Sequence, residues 1–141
     1  MGNLSEHYNN KDFACNCPVC RGEYKIHLGL VGALEQIGGH FRKRVRIVSA
    51  FWCDDFWEKL ARASKRSFHT KGKAVHIMID NISPQELFKY AETVPELRCV
   101  IFYPKENWTH IDTRPGDPVR LVKEGNDYLP LTSEKRTKYG L

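Results

Sequence analysis

Apolar residues recur at helical spacing over residues 25–41, where Ile26, Leu30, Ala33, Leu34, Ile37 and Phe41 form one stripe; that period predicts a helix. Gly38 and Gly39 weaken its last turn. Residues 44–51 are rich in β-branched side chains and predict a strand. Asp54 and Asp55 suit a helix N-terminus, with Phe56, Trp57, Leu60 and Ala61 following on one face and fraying near Lys65 and Arg66. The clearest strand covers residues 73–80: its period of two sets Val75, Ile77 and Ile79 on one face and His76 and Met78 on the other.

Ser83-Pro84-Gln85-Glu86 then reads as a capping box with proline at the first helical position, and Leu87, Tyr90, Ala91 and Val94 supply the buried stripe. Strands are expected over residues 98–103 and 108–113, after which Pro115, Gly116 and Pro118 break the pattern and the rest is polar and basic. Helices and strands that do not alternate strictly predict an α+β domain, a mostly antiparallel sheet with helices packed on it. On this reading residues 1–24 are an irregular arm of the same domain, residues 25–120 its body and residues 121–141 a basic tail.

Length and composition agree with one globular domain: 141 residues, 41% hydrophobic and 11% aromatic. The net charge of +5 would favour anionic partners, but only Arg42-Lys43-Arg44 and the C-terminal residues cluster. Nucleic-acid binding therefore rests on net charge alone, and a solvated surface is the simpler account. No apolar run approaches the roughly 20 residues of a membrane span. The first residues lack the basic-then-apolar order of a secretory signal. The expectation is a chain kept in the cytosol as synthesised, or released or virion-associated if encoded by a phage.

Candidate chemistry gathers at three histidines. His69 lies in a polar, glycine-containing approach to a strand, His76 within that strand, and His110 on another, with Asp112 two residues on and on the same face. A histidine on an apolar strand costs free energy unless its ring nitrogens are satisfied. Two readings stay open: core histidines with hydrogen-bond partners, or a shared metal. Zinc accepts three imidazoles and keeps its fourth position for water.

The same residues carry a family resemblance. Ser67-Phe68-His69-Thr70-Lys71-Gly72-Lys73-Ala74-Val75-His76 is similar to the S-x-H-x-x-G-x-A-x-D signature of the zinc D-alanyl-D-alanine carboxypeptidases, and Trp108-Thr109-His110-Ile111-Asp112-Thr113-Arg114 resembles their second motif. Ile47 to Cys53 aligns with the S-G-Y-R segment, and residues 4–17 resemble the opening of small phage and bacterial members. The resemblance implies a hedgehog-like fold, zinc held by His69, His76 and His110, and a peptidoglycan peptide as substrate. His76 replaces the family's aspartate ligand, Trp52 its carboxylate-clamping arginine, and Asn107 a carboxylate three residues before the last histidine. Asp112, and after it Glu106, are then the candidates for the proton-accepting base; Asp112 could equally orient a histidine. Ser67 and Arg114 are the expected substrate contacts, with Lys71 and Lys73 as other cations at hand.

Five cysteines exclude a complete internal disulfide framework. Cys15, Cys17, Cys20 and Cys53 offer four ligands for a second, structural metal site, although disulfides or thiols fit the spacing as well. The expected function is a zinc-dependent peptidase on peptidoglycan peptides, carboxypeptidase or endopeptidase. Its alternative is a non-catalytic zinc-binding module or phage structural protein that keeps the fold.

Overall fold

Period-two alternation decides how the sheet is dressed, and the computed structural model of the chain shows the result for the residues it describes, 5–15, 26–50 and 72–141. After a 3-10 turn at Asn10–Phe13 come α1 (Leu28–Phe41), β1 (Arg46–Ser49), β2 (Ala74–Met78), α2 (Pro84–Ala91), β3 (Cys99–Phe102), β4 (Thr109–Asp112), β5 (Val119–Glu124), β6 (Asp127–Pro130) and α3 (Ser133–Tyr139). The six strands form one sheet in the order β1-β2-β4-β3-β5-β6. On one face Val75, Ile77, Val100, Phe102, Ile111 and Val122 meet Leu30, Leu34 and Ile37 of α1 and Leu87 and Phe88 of α2. Each such side chain contributes about 1.5–3 kcal/mol on burial. The other face carries Cys99, Ile101 and Tyr103, with Trp108, Val119 and Leu121 packed on them.

The α+β class holds, but the sheet is mixed. Four pairings are antiparallel, and β5 runs parallel to β3. The reason lies in residues 113–118, which cross the start of β3 because β4 already occupies its other side. Arg98 shows the crossing: its N–H donates to the Asp112 carbonyl at 2.8 Å, and its own carbonyl accepts from the Val119 N–H at 2.6 Å.

Helix α1 runs through Gly38 and Gly39 and stops at Arg42 in the left-handed region, φ 55°. The buried stripe outweighs the weak propensity of the glycines. A Cβ at Gly38 would stand 3.1 Å from the Lys43 carbonyl in the closing turn, a tight contact that the glycine avoids. For α2, Ser83 Oγ accepts from the Glu86 N–H at 3.1 Å, as the capping pattern predicts.

The N-terminal residues join the core: Tyr8 and Phe13 are buried, and the Tyr8 hydroxyl donates to the Val45 carbonyl at 3.1 Å. Residues 121–141, read from sequence as a basic tail, carry most of β5, all of β6, and α3. Helix α3 buries no residue fully, so it leaves no apolar period; its signals are the Thr132 cap, accepting from the Lys135 N–H at 3.3 Å, and Gly140 at φ 74°. The predicted helix after Asp54 and Asp55 lies outside the described residues.

Candidate functional site

The alternation that buries Val75 and Ile77 turns His76 to the opposite face, and the β2–β4 register sets His76 directly opposite His110. Both imidazoles are nearly buried, 8% and 6% exposed, with ring centres 5.3 Å apart. Trp108, just before β4, stacks flat on His76 at 4.1 Å and 11° between planes, while Tyr103 leans on both rings. The aromatic packing fixes the His76 plane and keeps water from that side.

Asp112 stands behind His110. It is fully buried and accepts from His110 Nε2 at 2.7 Å, from Arg114 Nη2 at 2.6 Å and from Arg114 Nε at 2.9 and 3.1 Å, while the Arg114 backbone N–H donates at 3.1 Å. Burial opposes ionisation of this carboxyl, but the bonds from His110 and Arg114 more than offset it and hold it at about 2. Nε2 is thus the His110 nitrogen that faces Asp112. A carboxylate behind a ligating imidazole is a common way of fixing its tautomer and plane.

Cys99, opposite Asp112 on β3, carries no signal in the sequence; only the register reveals it. Burial, and then the Asp112 charge, push its thiol up to about 12. Among the described residues, Cys99, His110 and Asp112 have donor atoms within 4.8 Å of one another and could hold a metal ion. The guanidinium already seated on Asp112 disfavours a cation at that carboxylate. The His76 side of His110 is the better position.

Of the other expected residues, Ser67, His69, Lys71, Trp52, Cys17, Cys20 and Cys53 lie outside the described residues. Cys15 is buried. Glu106 is exposed in the turn after β3. Lys73 approaches β4 through its backbone, its carbonyl accepting from the Thr113 N–H at 3.0 Å. Arg114, expected on substrate, forms an ion pair with Asp112.

Two buried imidazoles on paired strands, one backed by a carboxylate, define a candidate metal-dependent hydrolase centre. The sequence places it: a model of the family described as Peptidase M15 matches residues 6–112, and the chain belongs to that family. Over 97 residues the chain is 35% identical to the peptidoglycan L,D-endopeptidase MepK of Escherichia coli strain K12, and equally to that of Shigella flexneri; the alignment covers 64% of this chain and 53% of each relative. The chain thus spans about half the length of the curated relatives it matches.

Proposed function

We propose that the chain is a zinc-dependent peptidase acting on peptidoglycan peptides, as an endopeptidase or carboxypeptidase, on the hedgehog-like fold of the zinc carboxypeptidases. The observation that carries this reading is the His76–His110 pair, set side by side across β2 and β4 with Asp112 behind His110, in a chain of the Peptidase M15 family. The donor set fits zinc: two imidazoles, nearly buried beside aromatic rings. His76 and His110 hold the ion, with His69 as third ligand. Zinc, when bound, polarises the scissile carbonyl and lowers the pKa of water to about 7.

The chain's own residues do the rest. Asp112 holds the His110 ring in one tautomer and is itself held by Arg114. Every contact it makes commits it to that task, so of its two expected roles we favour orienting His110 over accepting the proton. Glu106, exposed beside the site's aromatic wall, is then the stronger candidate for the base, with Ser67 contacting the substrate.

Elemental analysis of protein purified without chelator tests the reading. One zinc per chain, lost in His76→Ala and His110→Ala, with release of peptides from peptidoglycan fragments, is the expected result. No zinc, and none taken up when supplied, would sink it. Zinc without cleavage would select the second reading, a non-catalytic zinc-binding module, which the fully engaged Asp112 favours. A second zinc surviving in His76→Ala would mark the cysteine site.

A further inference from the structure

Helix α1 begins against its own local preferences. Its N-cap is His27, where Ser, Thr, Asp or Asn is favoured, and the imidazole caps no N–H of the helix. The first turn holds no acidic residue. The second helical position is Gly29, a poor helix former. That glycine makes room for His27: a Cβ there would stand 3.0 Å from Cε1 and 3.3 Å from Nδ1 of the ring. The imidazole lies back over the start of α1, and its Nδ1 forms a 3.0 Å hydrogen bond with Thr113 Oγ1, across 86 residues of chain. Two choices that weaken the helix thus serve one contact at the end of β4. Local rules broken together in this way mark a task set elsewhere in the fold.

Thr113 stands between two residues that hold each other. Arg114 donates back to Asp112 through Nη2 at 2.6 Å and through its backbone N–H at 3.1 Å, so the chain doubles back about Thr113. The Thr113 N–H donates to the Lys73 carbonyl at 3.0 Å, one rung beyond the Ala74–Asp112 pair of the β2–β4 ladder. Its hydroxyl is held by His27, whose own N–H donates to the Gly72 carbonyl at 2.8 Å. The turn is therefore fixed from α1 and from the approach to β2 at once.

We propose that His27 is a positioning residue for the histidine centre. By holding Thr113 it keeps Arg114 on Asp112, and through Asp112 it keeps the His110 ring in one orientation. Its bearing on zinc rests on the peptidase reading; its hold on His110 does not.

The reporter is the His110 Nε2 proton, which is hydrogen-bonded to the buried Asp112 carboxylate. Imidazole nitrogen-15 NMR of the full chain, stripped of metal by chelator at pH 7, should show it as a sharp downfield resonance. His27→Asn keeps a polar group where Nδ1 stood and should retain the resonance. His27→Ser is a better N-cap but too short to reach Thr113, and Thr113→Val keeps the shape without the hydroxyl. Each should broaden or abolish the resonance while circular dichroism shows the fold intact, and the double variant should be no worse than either single one. Zinc affinity, read by dye competition, should fall about three- to fivefold in both, less than the roughly tenfold or more expected when a ligand loses its direct partner. A His110 resonance missing from the unaltered chain, or unchanged in His27→Ser or Thr113→Val, overturns the proposal. So do losses that add in the double variant, which would make the two side chains independent. If no form of the chain takes up zinc, the peptidase reading fails, and the His110 resonance still decides the role of His27.

Discussion

Replacing Arg114 with methionine keeps most of the side chain's length and removes its charge, leaving the buried Asp112 carboxylate with His110 as its remaining strong partner. The magnitude follows from the site. Asp112 is lowered from an ordinary 3.8 to about 2 despite burial that pushes the other way. At about 1.4 kcal/mol per pKa unit, the folded chain prefers the charged form by about 2.5 kcal/mol. His110 supplies the larger favourable part and Arg114 the next. Without Arg114 the cost of burial is less well opposed, and breaking one side of a buried pair costs about 3–5 kcal/mol. The Arg114 side chain is 24% exposed, so the expectation is the smaller loss of about 2–3 kcal/mol at pH 7.

The sign with pH is fixed. A carboxyl depressed in the folded state contributes stability above its unfolded value, near 4, and loses it as pH falls towards 2. In Arg114→Met the carboxyl protonates at higher pH than in the parent. The gap between the two proteins should therefore narrow by about half between pH 7 and about pH 3. Urea unfolding with chelator present, followed by tryptophan fluorescence, measures both points. A gap below about 0.5 kcal/mol at pH 7, or one that does not change with pH, would refute the account of Asp112 as a charge held by Arg114.

Three further outcomes follow from the same geometry. Trp108→Ala removes the ring stacked on His76 and should weaken zinc binding about five- to tenfold, while Trp108→Phe keeps most of it; competition with a zinc-sensitive dye reads the difference, and equal affinities in all three would show that the stack positions nothing. The Cys99 thiol, held up at about 12 by burial and the Asp112 charge, should resist iodoacetamide at pH 8 in the native protein and react after denaturation; mass-spectrometric detection of native alkylation at Cys99 would contradict its burial. Glu35 accepts from Ser5 Oγ at 2.5 Å and from the His7 ring and backbone at 2.6 and 2.9 Å. Burial, the largest single influence, raises its pKa, but these bonds together lower it further. The clasp should therefore hold through the ordinary glutamate range and loosen as pH falls below it, and amide protection over residues 5–13, corrected for the intrinsic exchange rate, should fall in acid and, at pH 7, in Glu35→Gln.

How much of this was legible in the sequence depended on distance along the chain. Period two in β2 and β4 was enough to put His76, His110 and Asp112 on the faces opposite the main apolar stripe, because strand geometry fixes side-chain direction locally. The register that brings His76 opposite His110 was not written in either segment; it arises when both strands bury their apolar faces against the same helices. Cys99 beside Asp112 is a product of that register and had no local signature. Arg114 reads as a cation near a motif, and only the turn after β4 shows that it curls back onto Asp112. The parallel arrival of β5 and the polar α3 were missed because one depends on β4 already filling a slot and the other has no apolar stripe for a period to reveal.

The position of β4 has a consequence for how the centre comes into being. His76 and His110 are 34 residues apart in the chain, and β4, which lies between β2 and β3 in the sheet, is made only after α2 and β3. Neither hairpin alone contains the pair, so during synthesis the histidines stay strangers until the strand after the Tyr103–Trp108 turn inserts. Any ion that needs both will reward that insertion by mass action. The histidine pair can thus be assembled only once β4 has inserted, and a chain that stops short of it carries the first histidine without the second.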